Sequence, residues 1–118
     1  VIDFALILAG APLVIFAAFH LMNRDGMEGY IGTVLPFPKW TNRLAAAWLF
    51  VAGIGTATDA HVSIKGDTYH YGPLMAVAFL LAVTVLFHRP KGTEDQANIQ
   101  AVLKHMAMAG GYLFIAVA

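Results

Sequence analysis

His20, His88 and His105 each stand at the end of, or just inside, an apolar run that holds few other ionisable groups. An imidazole is the commonest protein ligand for haem or a transition metal, and its neutral form also hydrogen-bonds a quinone carbonyl. Lys104, beside His105, can hold an anionic lipid headgroup or a semiquinone. His20, His88, His105 and Lys104 are therefore the candidate cofactor-binding residues, for quinone, haem or a lipid headgroup. Against this stands a plainer expectation, in which each is an interfacial side chain satisfied by water and headgroups. A second group, Asp59 and His61 with His70 between Tyr69 and Tyr71, offers N and O ligands suited to copper or zinc. Its spacing is not diagnostic, a solvated loop is the expected reading, and no metal site is assigned. Met106 and Met108 fall on two sides of a helix and read as packing. No serine, histidine and acid occur at usable spacing, and there is neither a phosphate loop nor a pair of intramembrane carboxylates. Nothing here points to hydrolysis or group transfer, and no catalytic residue is assigned.

These residues must be held by apolar helices. Of 118 residues 59% are hydrophobic and only 12% charged, with a mean hydropathy of +0.70. That composition belongs to an integral membrane protein of one domain. Without cysteine, neither a disulfide framework nor a thiolate site can form. A net charge of zero gives no electrostatic reason to expect nucleic acid as a partner. The run from Phe4 to Met22 is long enough to cross a hydrocarbon core, which takes roughly 20 helical residues, and it is apolar all round. Pro12 inside it predicts a kink whose freed carbonyl finds a partner on a neighbour. The run lacks the basic flank of a signal peptide.

Further spans are predicted over 40–58, 72–88 and 99–118. Glu28 to Leu35, too short to span, reads as a short helix at the membrane interface. Lys39, Trp40 and Arg43 mark headgroup level. Asp59 to Tyr71 reads as a polar loop, and Thr93-Glu94-Asp95-Gln96 as the acidic start of the last helix. Gly53, Gly55, Gly110 and Gly111 are expected at close helix contacts, within the chain or with another subunit. The fold class is thus all-α, a transmembrane antiparallel four-helix bundle with an interfacial segment after the first helix. Arg24, Lys39, Arg43, Arg89, Lys91 and Lys104 flank the first and third connections, and Lys65 alone the second. The basic side is cytoplasmic by the positive-inside rule, and both termini face outward.

Read in order, these segments resemble the DoxX family of small four-helix membrane proteins. FAAFHLM followed by DGMEGYIGTVLPFP is similar to the family's first helix end, glycine-rich connection and proline. RLAAAWLFVAGIG is similar to its second helix, LLAVTVLFHRP to its third, and NIQAVLKHMAMAGGYLF to its fourth. Where family members often have a glutamate before the second helix's glycines this chain has Leu49 or a neighbour. His20 stands where they often have a lysine. No intramembrane carboxylate chemistry therefore carries over. The resemblance implies a link to quinol oxidation and membrane redox assemblies, and a bacterial or archaeal inner or plasma membrane. The leading expectation is an accessory subunit packed against a larger, quinone-linked electron-transfer complex, with lipids and other membrane subunits as partners. The alternative is a membrane oxidoreductase module binding quinone or haem through the helix-end histidines.

Overall fold

The computed structural model describes residues 2–117 and is mostly helical. The elements run α1 (Ile2–Met22), α2 (Arg24–Gly32), α3 (Pro38–Ala57), β1 (Val62–Ile64), β2 (Asp67–Tyr69), α4 (Tyr71–Phe87) and α5 (Gln96–Val117). Two helices, from Asp3 to Met22 and from Gln96 to Val117, are long and apolar enough to cross a bilayer. The shorter α4 is also apolar, while Lys39, Asn42 and Arg43 make the first turns of α3 polar. α1 packs chiefly on α3, α3 on α4 and α4 on α5. Leu13, Ala17, Leu49, Ala52, Ala76, Leu80, Ala109 and Tyr112 form the core.

Small residues set how closely the helices meet. A Cβ built on Gly10 of α1 would lie 2.8 Å from the backbone nitrogen and the Cβ of Ala57, and closer still to the Gly53 carbonyl. On α4, Gly72 lies against the backbone of Gly55 and Thr56, so α3 and α4 touch main chain to main chain at this end. Gly53 and Gly55 thus make the expected contacts. Gly110 and Gly111 make no such contact within the chain: nothing lies within 4 Å of a Cβ at either position. Their surroundings on α5 are open, because it is Ala109 and Tyr112 that the helix buries.

Local chemistry fixes the helix ends. The short helix expected after α1 begins earlier than the sequence suggests, at Arg24, after a break of a single residue at Asn23. Pro38 opens α3, where its missing N–H costs nothing. α3 ends in a Schellman turn: Ala60 N–H donates to Gly55 O at 2.9 Å and Asp59 N–H to Thr56 O at 3.2 Å. Asp59 takes the left-handed position, φ 54°, usually given to glycine. Beyond it the expected loop is a two-stranded hairpin, with Val62 opposite Tyr69 and Ile64 opposite Asp67. Its two-residue turn, Lys65-Gly66, has φ of 53° and 87°, the positive pair that matches strand twist in a tight hairpin. α5 starts at Gln96, so Thr93 and Glu94 lie in the turn before it rather than in its first turn.

Two long-range bonds tie α1 down. Pro12 removes the donor that Leu8 O would use, and beside it the Tyr112 hydroxyl donates to Ala9 O. At the other end the last carbonyls of α1 have no helical partner. Phe19 O accepts from Asn23 N–H at 2.9 Å, and His20 O from Asn42 Nδ2 at 2.9 Å. Asn42 is fully buried, at 0% exposure. Asn42→Ala leaves that carbonyl unpaired and is expected to cost about 2 kcal/mol, seen as a lower unfolding midpoint in detergent.

Candidate functional site

α3 and α4, in contact at Gly55 and Gly72, are parted toward their opposite ends by a cavity of about 610 Å³. That size lies within the range of small-molecule sites. Leu13, Leu49 and Leu80 are its most buried lining residues. Leu44, Ala45 and Trp48 line it from α3, and Ala82, Val83 and Leu86 from α4. Met27, Tyr30 and Ile31 of α2 border it as well. Tyr30 stacks on Phe87 of α4 with ring centroids 5.1 Å apart, so α2 bridges to α4 across the mouth. Leu44, Tyr30 and Phe16 remain well exposed, and the cavity opens onto the apolar flank of the bundle.

His20, His88 and His105 all line this cavity. They come from α1, the residue after α4, and α5. Each is half-buried. Lys104 does not join them: it is exposed on α5 and absent from the lining. One helical residue turns a side chain by about 100°, enough to carry Lys104 away from the face His105 shares with Met108.

Each ring is oriented through Nδ1. In His20, Nδ1 lies 2.8 Å from Phe16 O. In His105 it lies 2.8 Å from Thr84 Oγ1, which itself donates to Leu80 O at 2.7 Å. In His88 it lies 3.3 Å from Asn98 Oδ1, and the Asn98 amide nitrogen donates to Asp95 Oδ2 at 2.9 Å. The His88 and His105 rings meet edge to face, with centroids 5.1 Å apart. Two imidazoles in edge contact leave no room for a macrocycle between them, which disfavours a haem held by this pair. Trp48 is also fixed, its Nε1–H donating to Met75 O at 2.8 Å.

Asp95 supports this arrangement from outside. Asn98's amide and Lys91's backbone N–H hold its carboxyl below the ordinary 3.8. The carboxylate's contribution is complete above that value and disappears as pH falls through the lower folded value. Acidification below about pH 3.8 should therefore release the Asn98 amide. A shift of its side-chain NMR resonance would record this, while the core resonances of α5 stay in place.

At the far end, His70 Nδ1 stands 3.1 Å from Asp59 Oδ1, and the His61 ring lies 5.8 Å from that of His70. Among the described residues no group of three His, Asp or Glu side chains could hold a metal ion.

Sequence reasoning missed Tyr30, Trp48, Thr84 and Asn98. Thr84 had a signal, as the lone hydroxyl in the run from Leu74 to Phe87. Tyr30 acts through Phe87, distant in sequence, and had none; Asn98 meets His88 only because the turn after α4 folds back on it. Comparison with protein-family models, with characterised proteins and with solved structures yields no match, so the reading of this site rests on its own geometry.

Proposed function

We propose that the chain is an integral membrane protein whose four long helices cross the bilayer and whose cavity binds the head of a quinone-class lipid-soluble carrier. The observation that carries this is the joining of His20, His88 and His105 in one apolar cavity that opens on the bundle's flank. A four-span arrangement is supported by the exposed apolar exterior, which includes Phe4, Leu8, Leu81, Leu113 and Phe114. Water would leave that surface unpaired with anything apolar, and lipid covers it. The longest dimension, 43 Å, matches a bilayer with its headgroup layers, about 40–45 Å. Arg43 over the Trp40 ring, 5.2 Å from its centroid, suits the headgroup level, as does the basic end near the cavity. The resemblance to DoxX proteins points the same way.

Trp40 and Trp48 are the two tryptophans, and of these Trp48 alone lines the cavity. A Trp40→Phe variant in lipid nanodiscs, titrated with a short-chain benzoquinone, should show saturable quenching of Trp48. Quenching that rises linearly without saturation would refute binding.

A second reading, an accessory subunit of a larger membrane complex, is favoured by the open surroundings of Gly110 and Gly111. Small residues unused within a chain suit a helix from another. Copurification of a stoichiometric partner in mild detergent, lost in Gly110→Ile, tests it.

A further inference from the structure

The hydrogen bonds on the three imidazoles decide which face of each ring is left for a ligand. A backbone carbonyl only accepts, so His20 Nδ1 must carry the proton it gives to Phe16 O. Thr84 has a single hydroxyl proton, and its 2.7 Å approach to Leu80 O requires that proton there. The contact to His105 is then made by an N–H on Nδ1, donating to Thr84 Oγ1. In His88 the argument passes through an amide. Asn98 Nδ2 faces the Asp95 carboxylate at 2.9 Å and Arg89 O at 3.5 Å, both acceptors, which fixes the amide's orientation. Its Oδ1 therefore faces His88, and Nδ1 there donates too.

All three neutral rings are thus the same tautomer, with the Nε2 lone pair unprotonated. Among the described residues no hydrogen bond reaches any of these Nε2 atoms. The Trp48 N–H, the obvious donor in the wall, is committed to Met75 O. The hydroxyls of Tyr30 and Thr41 can serve either polarity and do not discriminate.

We infer that the cavity selects a ligand bearing ring hydroxyls, a hydroquinone or related phenol, over the oxidised quinone of the same shape. A hydroquinone offers O–H donors to the Nε2 lone pairs, whereas a quinone carbonyl would meet lone pair with lone pair. Thr84 and Asn98 are positioning residues in this account. They touch no ligand and set polarity by holding the tautomers of His105 and His88. The inference rests on the cavity reading above and adds the redox form of its occupant.

Calorimetric titration of the full chain in lipid nanodiscs tests it, under anaerobic conditions at about pH 8, where free imidazole is neutral. The probes are trimethylhydroquinone and trimethylbenzoquinone, with empty nanodiscs as the blank. The hydroquinone should bind about tenfold tighter, the equivalent of one well-made hydrogen bond gained against one lost. In Thr84→Val, which keeps the side-chain shape, the His105 ring is released and that ratio should fall severalfold; Asn98→Leu should act likewise through His88. A purely structural role would weaken both ligands together and leave the ratio unchanged. Equal affinities, or a tighter quinone, would overturn the inference while leaving the cavity reading standing. A ratio unmoved in both variants would overturn the assigned cause. Saturable binding of neither probe would remove the inference and the cavity reading together.

Discussion

Gly10→Val is expected to prevent α1 from seating on α3, at a cost of about 3 kcal/mol or more. Overpacking in a core commonly costs less, because side chains shift aside. Here the atoms that a new Cβ would strike are main chain, the Gly53 carbonyl and the Ala57 nitrogen, with the Ala57 Cβ beside them. None of these can rotate away, so the helices must part along their length, and the contacts of Leu13 and Ala17 with the core go with them. Even Gly10→Ala should lower the unfolding midpoint in detergent substantially. Gly110→Ala is the matched control. Nothing lies within 4 Å of its new methyl, and alanine favours the helix by up to about 1 kcal/mol. Stability in the isolated chain should be unchanged or slightly higher.

Filling the cavity should abolish binding while leaving the fold intact. Ala45 lines the void from α3 and takes part in none of the close glycine contacts. In Ala45→Phe the added ring enters space that is already empty, so little strain arises and circular dichroism should be unaltered. The benzoquinone titration of Trp48 should then lose its saturable phase, with affinity reduced about 100-fold or more, near 3 kcal/mol of binding free energy. His105→Leu offers the polar counterpart. It preserves an apolar wall but removes an acceptor, and about tenfold of affinity for a hydroxylated ligand should go with it.

How much of this was legible in the sequence depended on the range of the interaction. α1 could be read because its apolar residues lie consecutively along the chain, and helix ends because proline and glycine act locally. The histidines could be singled out because ionisable groups are scarce in apolar runs. That they share a cavity follows from the way α3 and α4 part below Gly55 and Gly72, a tertiary fact with no local signal. Lys104 illustrates the limit. Adjacency to His105 suggested a common site, yet adjacent residues on a helix face different ways. The glycines show a similar limit, since Gly55 and Gly110 are alike in sequence and only their neighbours in space tell a close contact from an open face. The hairpin was missed because two strands of three residues are too short to show alternation. Its one local sign was the Lys65-Gly66 pair. Asn42 carried no local signal, and its role as a cap for α1 appears only when His20 O is placed beside it.

The claim that the cavity is the binding site is tested most directly by photolabelling. An azido-benzoquinone is irradiated with the protein in nanodiscs, and its adducts are mapped by peptide mass spectrometry with and without excess unlabelled ligand. The account predicts competed adducts on Met27, Trp48, Phe79 and Met108, which share the cavity wall. Adducts confined to outward residues such as Phe4, Leu113 and Phe114, or labelling of the wall that excess ligand fails to suppress, would contradict it.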